Sequence, residues 1–285
     1  MTTPQVGTSS ESTDALSIVR DFWEEEPCGT RYGREDDQEA VDFDMMARER
    51  YRLEPHIPEF ADFESAKGKE LLEIGVGGGV DFMSWVKAGA KASGIDLSDS
   101  GISMTKQRLK AAGFSEDCFS LSRGNAEDLT FPDQTFDIVY SYGVLHHTPD
   151  TKKAFSEAWR VLKPGGVLKA MVYHVPSVAG LIFWVRYCLL IGKPFRTAKQ
   201  AIFEQLESPG TKAYTVQEMR AMLEEIGVRN MKVYTKLVFG DLLLNKPSNK
   251  YKAPIYKLVW KLYPRWLVKL LGDKYGFFLF VEAEK

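Results

Sequence analysis

The chain has 285 residues, with 37 Lys or Arg against 39 Asp or Glu, a formal net charge of -2, and 44% hydrophobic and 12% aromatic side chains. That composition supplies a full-sized core and excludes a wholly disordered, collagen-like or mucin-like chain. The balanced charge argues against a general nucleic-acid binder, whose attraction to phosphate needs a positive excess.

In chain order, residues 1–13 are small and polar and are expected to be disordered. Leu16, Val19, Phe22 and Trp23 then recur on one side of a short helix over 14–26. A loop, PCGTRYG, leads to a second helix over 42–53, which Pro55 and Pro58 end. From Lys69 strands and helices alternate. The expected strands are KELLEIGV, KASGIDLS, 118–122, FDIVYSYGVLHH and VLKAMVYHV, with helices DFMSWVKAG, GISMTKQRLKAAG and TKKAFSEAWRVL between them. This order predicts an α/β fold, a mostly parallel sheet with helices on both faces. The pattern breaks over 175–213, where LIFWVRYCLLIGKPF is rich in large apolar groups, and VQEMRAMLEEIG resumes a helix with Thr215 as its N-cap. Two further strands, MKVYTKLVF and YGFFLFVEAEK, bring the expected sheet to seven.

The near-zero charge conceals an acidic head and a basic tail. Residues 1–62 carry 16 acidic and 6 basic groups, and residues 246–274 carry 1 acidic and 8 basic. Over 254–271 apolar side chains recur on one helical face and Lys257, Lys261, Arg265 and Lys269 on another, with Pro264 expected to interrupt the helix. That face has three places to go: the catalytic domain, a second subunit in a homo-oligomer, or an anionic membrane surface. Packing on the domain is the expectation, with peripheral membrane contact the alternative. Glu24, Glu25 and Glu26 read as a solvated helix end. Cys28, Cys118 and Cys188 form no CxxC pair, and four histidines supply no HExxH, so no metal site is expected. The opening run MTTPQVGTSSESTDA lacks the basic and apolar regions of a signal peptide, so a cytoplasmic protein is expected.

The most informative stretch is LLEIGVGGGVDF. Gly75, Gly77 and Gly79 follow an apolar strand directly, where glycine permits a sharp turn and a close ligand approach. The helix behind them offers free N–H groups to a polar or anionic ligand. Asp96 ends the next strand, where a carboxylate can accept from ribose hydroxyls. Nicotinamide enzymes share that geometry. Glu73, two residues before the first glycine, Asp96, the segment GNAEDLTF, the strand FDIVYSYGVLHHTPD and the turn RVLKPGGVL together resemble the class I S-adenosylmethionine-dependent methyltransferases, including the ubiquinone/menaquinone C-methyltransferase group. The resemblance covers about residues 68–172, and residues 214–283 more weakly. Asn125 stands where that family usually has an acid, and Thr130 where it has proline. In the head, Trp23, Pro27, Cys28, Phe43, Tyr51, Pro55, His56 and Ile57 resemble the segment that closes over the methionine end in many bacterial members; the alternative is a structural cap packed through Trp23 and Tyr51.

The resemblance implies a Rossmann-like fold divided into an acidic helical cap (1–66), an S-adenosylmethionine-binding core (67–174), a hydrophobic lid insertion (175–213) and the rest of the core (214–285) with a basic amphipathic insertion (240–275). Cofactor contacts are expected from Tyr32, Glu73, Gly75, Gly77, Gly79, Asp96, Leu97, Asn125, Ala126, Glu127, Tyr140 and Ser141, and substrate contacts from Trp23, Tyr142, His146, His174 and Trp184. His146 and His174 are the candidate acid/base groups, each with packing or positioning as the alternative. The expected activity is methyl transfer to a carbon or oxygen of a hydrophobic small molecule, such as a prenylated, polyketide or aromatic metabolite. A quinone or lipid methyltransferase at the membrane surface, a nicotinamide oxidoreductase and a non-catalytic S-adenosylmethionine-binding protein are the alternatives.

Overall fold

In the computed structural model, which describes residues 9–25, 27–33, 41–244 and 261–285, neighbouring side chains of each central strand enter two different cores. Strand β1 (Glu70–Ile74) sends Leu71 to one face and Leu72 and Ile74 to the other. It pairs in parallel with β2 (Lys91–Asp96) and β4 (Phe136–Tyr142); β2 pairs with β3 (Phe119–Arg123) and β4 with the long β5 (Leu162–His174). The last strand, β8 (Phe278–Glu284), runs antiparallel between β5 and β7 (Asn230–Lys236). The spatial order is β3-β2-β1-β4-β5-β8-β7.

A parallel sheet needs cover on both faces, because its crossover helices leave neither to solvent. One face packs against α3 (Ile57–Ala61), α4 (Val80–Lys87) and α5 (Asp99–Ala111) through Phe60, Phe82, Trp85 and Leu109. The other packs against α6 (Thr151–Arg160) and α9 (Val216–Glu225) through Phe155, Ala158, Met219 and Leu223. Thr215 caps α9 reciprocally: its hydroxyl accepts from the Glu218 N–H at 3.0 Å, and the Glu218 carboxylate accepts from the Thr215 N–H at 2.7 Å.

Several details differ from the sequence reading. The sheet holds the seven expected strands and a two-residue eighth, β6 (Ala213–Tyr214), beside the end of β5. Helix α1 (Ser9–Glu25) starts inside the stretch expected to be disordered, since a helix whose Val19 is packed extends upstream by propagation without a new nucleus. Strand β4 stops at Tyr142, where Gly143 takes φ +78° and Leu145–His147 coil into a 3-10 turn. The insertion after β5 folds as α7 (Val178–Trp184), a π-helical turn (Val185–Leu189) and α8 (Ala198–Gln205). Of the amphipathic helix expected over 254–271, residues 254–260 lie outside the described residues; the remainder is broken at Pro264 and resumes as α10 (Arg265–Leu271).

The head lies on the core through polar ties. Helix α2 (Phe43–Leu53) is capped by Asp42, which accepts from the Met45 N–H at 2.8 Å. The Arg108 guanidinium of α5 is buried beneath it, donating to the Gly78 carbonyl at 2.6 Å and the Phe43 carbonyl at 2.9 Å, with the Met46 sulfur at 3.1 Å. At the end of α1, Glu24 accepts from the Asp99 and Ser100 N–H groups at 2.8 and 3.0 Å. It is therefore a cap on the N-terminus of α5 and not a purely solvated charge, as the macrodipole favours. Replacing Arg108 with Met keeps the bulk and removes these bonds. The variant is expected to lose about 2–3 kcal/mol of stability in urea unfolding; an unchanged midpoint would contradict the tie.

Candidate functional site

At the carboxyl end of β1 the chain turns through Gly75, Gly77 and Gly79 with φ of +83°, +50° and +72°, a region that favours glycine. Space adds a second requirement. A Cβ on Gly75 would overlap the Val144 side chain, and one on Gly79 would sit 2.7 Å from the Thr105 hydroxyl. Asp96, at the end of β2, fixes the loop: one carboxylate oxygen accepts from the Gly77 N–H at 2.8 Å, the other from the Ser98 N–H and hydroxyl at 2.9 and 2.7 Å. Loop, acid and helix N-terminus thus converge where ligands sit in open parallel sheets, outside the carboxyl ends of the strands.

They open into a cavity of about 350 Å³, within the usual range for a small-molecule site. Glu73, Gly75, Gly77, Asp96, Leu97, Asn125 and Ala126 line it from the core, and α1 and α2 supply the facing wall through Trp23, Met46, Arg50 and Glu54. The Trp23 ring meets His147 edge-on, centroids 5.4 Å apart. Glu73 is the odd group: it is buried, and its Oε2 has no hydrogen-bond partner among the described residues. Burial first, and the Asp81 charge second, hold its carboxyl well above the usual range. A desolvated acid facing a cavity suits a ligand that brings a cation.

The cavity wall is held by a second carboxylate. Asp81, on α4, accepts from Arg50 Nε and Nη2 at 3.1 and 2.7 Å, from the Tyr51 hydroxyl at 3.2 Å and from the Tyr140 hydroxyl at 3.0 Å. Arg50 also reaches Glu54 at 3.5 Å, one turn along α2. Glu54 in turn accepts from the Tyr142 hydroxyl at 3.4 Å, and that hydroxyl meets His56 Nε2 at 2.7 Å. Burial pushes the Glu54 carboxyl up to about 7, against the pull of Arg50. Burial also lowers His56 to about 4, so the ring is neutral near pH 7.

Of the residues singled out in the sequence, Trp23, Glu73, Gly75, Gly77, Asp96, Leu97, Asn125, Ala126 and Tyr142 line this one cavity, and so do Leu16, Val19, Phe22, Pro27 and Cys28 of the head. Several expected site residues are placed elsewhere. Gly79 caps α4 against Thr105, and Glu127 accepts from the Asp150 N–H at 2.6 Å. Tyr140 is spent on Asp81, and the Ser141 hydroxyl, on the opposite face of β4, donates to the Ile74 carbonyl at 3.1 Å. Tyr32 belongs to the 3-10 turn Thr30–Gly33, and its side chain lies outside the described residues.

Both candidate bases are corrected by position. His146 is fully buried, its ring tilted against Tyr173 with centroids 4.1 Å apart, and neither ring nitrogen has a partner among the described residues. Burial, then His147, push its pKa well down, leaving a neutral ring that fills space. His174 turns its Nδ1 to the Gly276 carbonyl at 2.8 Å, away from the cavity. The histidine on the cavity is His147, whose Nε2 stands 3.4 Å from Glu207. Trp184 closes the insertion on itself by donating to the Arg196 carbonyl at 2.7 Å; the insertion reaches the cavity through Glu207 instead. Sequence reasoning missed Arg50, Glu54, Asp81, His147, Glu207, Phe239 and Phe278. The only local signal was the i, i+4 spacing of Arg50 and Glu54 in RYRLE, which puts opposite charges on one helix face.

The methyltransferase domain family matches residues 72–170, a span from β1 into β5 that includes the glycine loop and Asp96. The demethylmenaquinone methyltransferase of Tropheryma whipplei is 30% identical over 182 residues, 63% of this chain and 74% of that protein. The phthiotriol/phenolphthiotriol dimycocerosates methyltransferase of Mycobacterium tuberculosis is 36% identical over 101 residues, 35% of this chain and 36% of that one. Among solved structures, the geranyl diphosphate C-methyltransferase of Streptomyces coelicolor shares the fold at a TM-score of 0.62 and 18% identity, covering 96% of this chain and 98% of that one. The chain belongs to the class I S-adenosylmethionine-dependent methyltransferases and is an enzyme that takes its methyl group from that cofactor.

Proposed function

We propose that the cavity holds S-adenosylmethionine along its polar end and a lipophilic methyl acceptor along its apolar end, with Glu54 taking the proton that the acceptor loses. The observation that carries this reading is the mixed lining of one cavity. Glu73, the glycine loop and Asp96 line it together with Leu53, Met171, Tyr173, Phe239 and Phe278, and Glu54 is buried among the lining residues. Relatives named for a quinone, a lipid and a terpenoid support an apolar acceptor; a prenylated or aromatic metabolite suits the aromatic lining.

In this reading Glu73 receives the ammonium of the cofactor, Asp96 its ribose hydroxyls, and Asn125 and Ala126 flank its adenine. Bound S-adenosylmethionine supplies an electrophilic methyl group and a neutral thioether leaving group. The chain itself aligns the two molecules and excludes water, which is where much of the rate of such a displacement originates. Trp23, Met46 and Arg50 supply the closing wall. Glu54 carries the proton step: as the carbon or oxygen of the acceptor bonds to the methyl carbon, its proton passes to the Glu54 carboxylate, with Tyr142 and His56 behind it in a hydrogen-bonded chain.

The sign of the pH dependence follows. A base with a pKa of about 7 is active when deprotonated, so turnover should rise with pH and reach half its plateau near pH 7. Glu54→Gln should lower kcat by about 10²-fold and abolish that limb while leaving cofactor affinity unchanged. A wild-type limb retained in the variant would sink the assignment. Asp96→Ala should weaken S-adenosylhomocysteine binding in calorimetry by about 10- to 100-fold; unaltered affinity would place the ribose elsewhere.

Glu73 gives a readout independent of turnover. Burial and the Asp81 charge raise its pKa in the free protein, and the arriving ammonium would favour the carboxylate. Calorimetry in buffers of different ionisation enthalpy should therefore show proton release on cofactor binding, lost in Glu73→Gln. A binding enthalpy that ignores the buffer would contradict the role.

A further inference from the structure

A lipophilic acceptor is scarce in water, and two segments of the fold carry large apolar side chains that nothing among the described residues covers. The turn after α7 exposes Leu190 at 75% and Phe195 completely, with Ile191 between them. Helix α10 exposes Trp266 at 69% and Leu270 at 74%, flanked by Leu262, Leu267 and Leu271. Single exposed apolar residues are ordinary, but contiguous ones mark a contact surface.

Both segments are anchored to one turn, residues 238–244. Asp241 Oδ1 accepts from the Ala179 N–H at 2.9 Å, at the start of the helix that leads to Leu190. The Asp241 carbonyl accepts from the Tyr263 hydroxyl at 2.7 Å, and the Leu243 carbonyl from Arg265 at 3.0 Å, fixing the start of α10. Phe239, in the same turn, lines the cavity. Residues 238–244 therefore tie the start of α7 and the start of α10 to a residue of the cavity lining.

The charge on these segments selects the occupant. Residues 261–271 carry Lys261, Arg265 and Lys269 and no acid, and the turn 189–196 carries Lys193 and Arg196 and no acid, although Arg196 is paired with Glu204 of α8. Lys193, Lys261 and Lys269 have no ion-pair partner among the described residues. Cations interleaved with exposed Trp and Leu match an interface whose headgroups are anionic and whose interior is apolar. A second copy of the same surface would set these cations against their own kind. No helix among the described residues is long and apolar enough to cross a membrane, so the contact would be peripheral.

We propose that the 189–196 turn and the exposed face of α10 dock on an anionic lipid bilayer, placing the rim at Phe239 against the layer from which the methyl acceptor is drawn. The purpose of this surface rests on the lipophilic acceptor proposed above, but its test does not.

The experiment is co-sedimentation of the full chain with phosphatidylcholine vesicles, with and without phosphatidylserine, at low salt. The expected result is binding to the anionic vesicles only, reversed by salt, and weakened by about tenfold or more in a Leu190→Asp/Trp266→Asp variant. Both residues are exposed and remote from the lining, so calorimetric affinity for S-adenosylhomocysteine should match wild type and show that the variant is folded. Absence of binding to either vesicle, or binding that the variant retains, would overturn the proposal. So would a wild-type dimer in light scattering that the variant converts to monomer, because the face would then belong to a second copy. Vesicle binding without transfer to any lipophilic acceptor would leave the docking surface standing and contradict the proposed function instead.

Discussion

The carboxylate of Asp81 is the point on which the closed site depends. It is buried, and it is tolerable there only because Arg50, Tyr51 and Tyr140 all donate to it. A buried ion pair of this kind adds little over an apolar pair of the same shape, yet leaving either partner alone is costly. Its consequence is therefore geometric. Asp81 stands one residue into α4, directly behind the glycine loop, so that the charge which needs Arg50 is carried by the same segment that would carry the cofactor. Satisfying it brings α2 down over the loop, and with α2 come Met46, Arg50 and Glu54 as a wall of the cavity.

The same interaction tunes the acids around it. Desolvation is the largest influence on both Glu54 and Glu73, and the Asp81 charge raises each of them further. Arg50 opposes both. A single cation thus serves three carboxylates, and the balance leaves Glu54 with a pKa of about 7 beside Tyr142 and Glu73 raised by burial and the Asp81 charge. Two acids in one cavity are separated in role by what surrounds them, which is how a fold performs proton chemistry near pH 7 without a histidine at the centre. Three of the four histidines are drawn into packing and neighbouring hydrogen bonds, His146 against Tyr173, His174 to Gly276 and His56 behind Tyr142, while His147 lines the cavity.

The glycine loop and its acid were legible in the sequence because their determinants are local. An apolar strand ending in spaced glycines, and an acid closing the next strand, fix Gly75, Gly77 and Asp96 with no knowledge of the rest of the chain. The strand alternation was legible for the same reason, down to Thr215 at the start of α9. The acceptor side was not, because its determinants join distant segments. Asp81 meets Arg50 across 31 positions, and Glu54 meets Tyr142 across 88. Neither pairing leaves a trace in spacing. His146 and His147 are adjacent in a short 3-10 turn, and only the phase of that turn decides which ring faces the cavity. Trp184 looked like a lid residue from its size, but its indole N–H finds the Arg196 carbonyl twelve residues on, and a smaller polar residue of the same insertion, Glu207, reaches the cavity.

The central claim is that one cavity, walled in part by the head, holds cofactor and acceptor in line with Glu54 beside them. A crystal structure of the chain with S-adenosylhomocysteine tests it most directly. The account predicts density for the amino group at Glu73, for the ribose at Asp96 and for the sulfur turned toward the space that Glu54, Tyr142 and Phe278 share, with α2 still seated on Asp81. Density that leaves Glu73 unpartnered, or a bound state in which α2 has left Asp81 and Glu54 faces solvent, would contradict it.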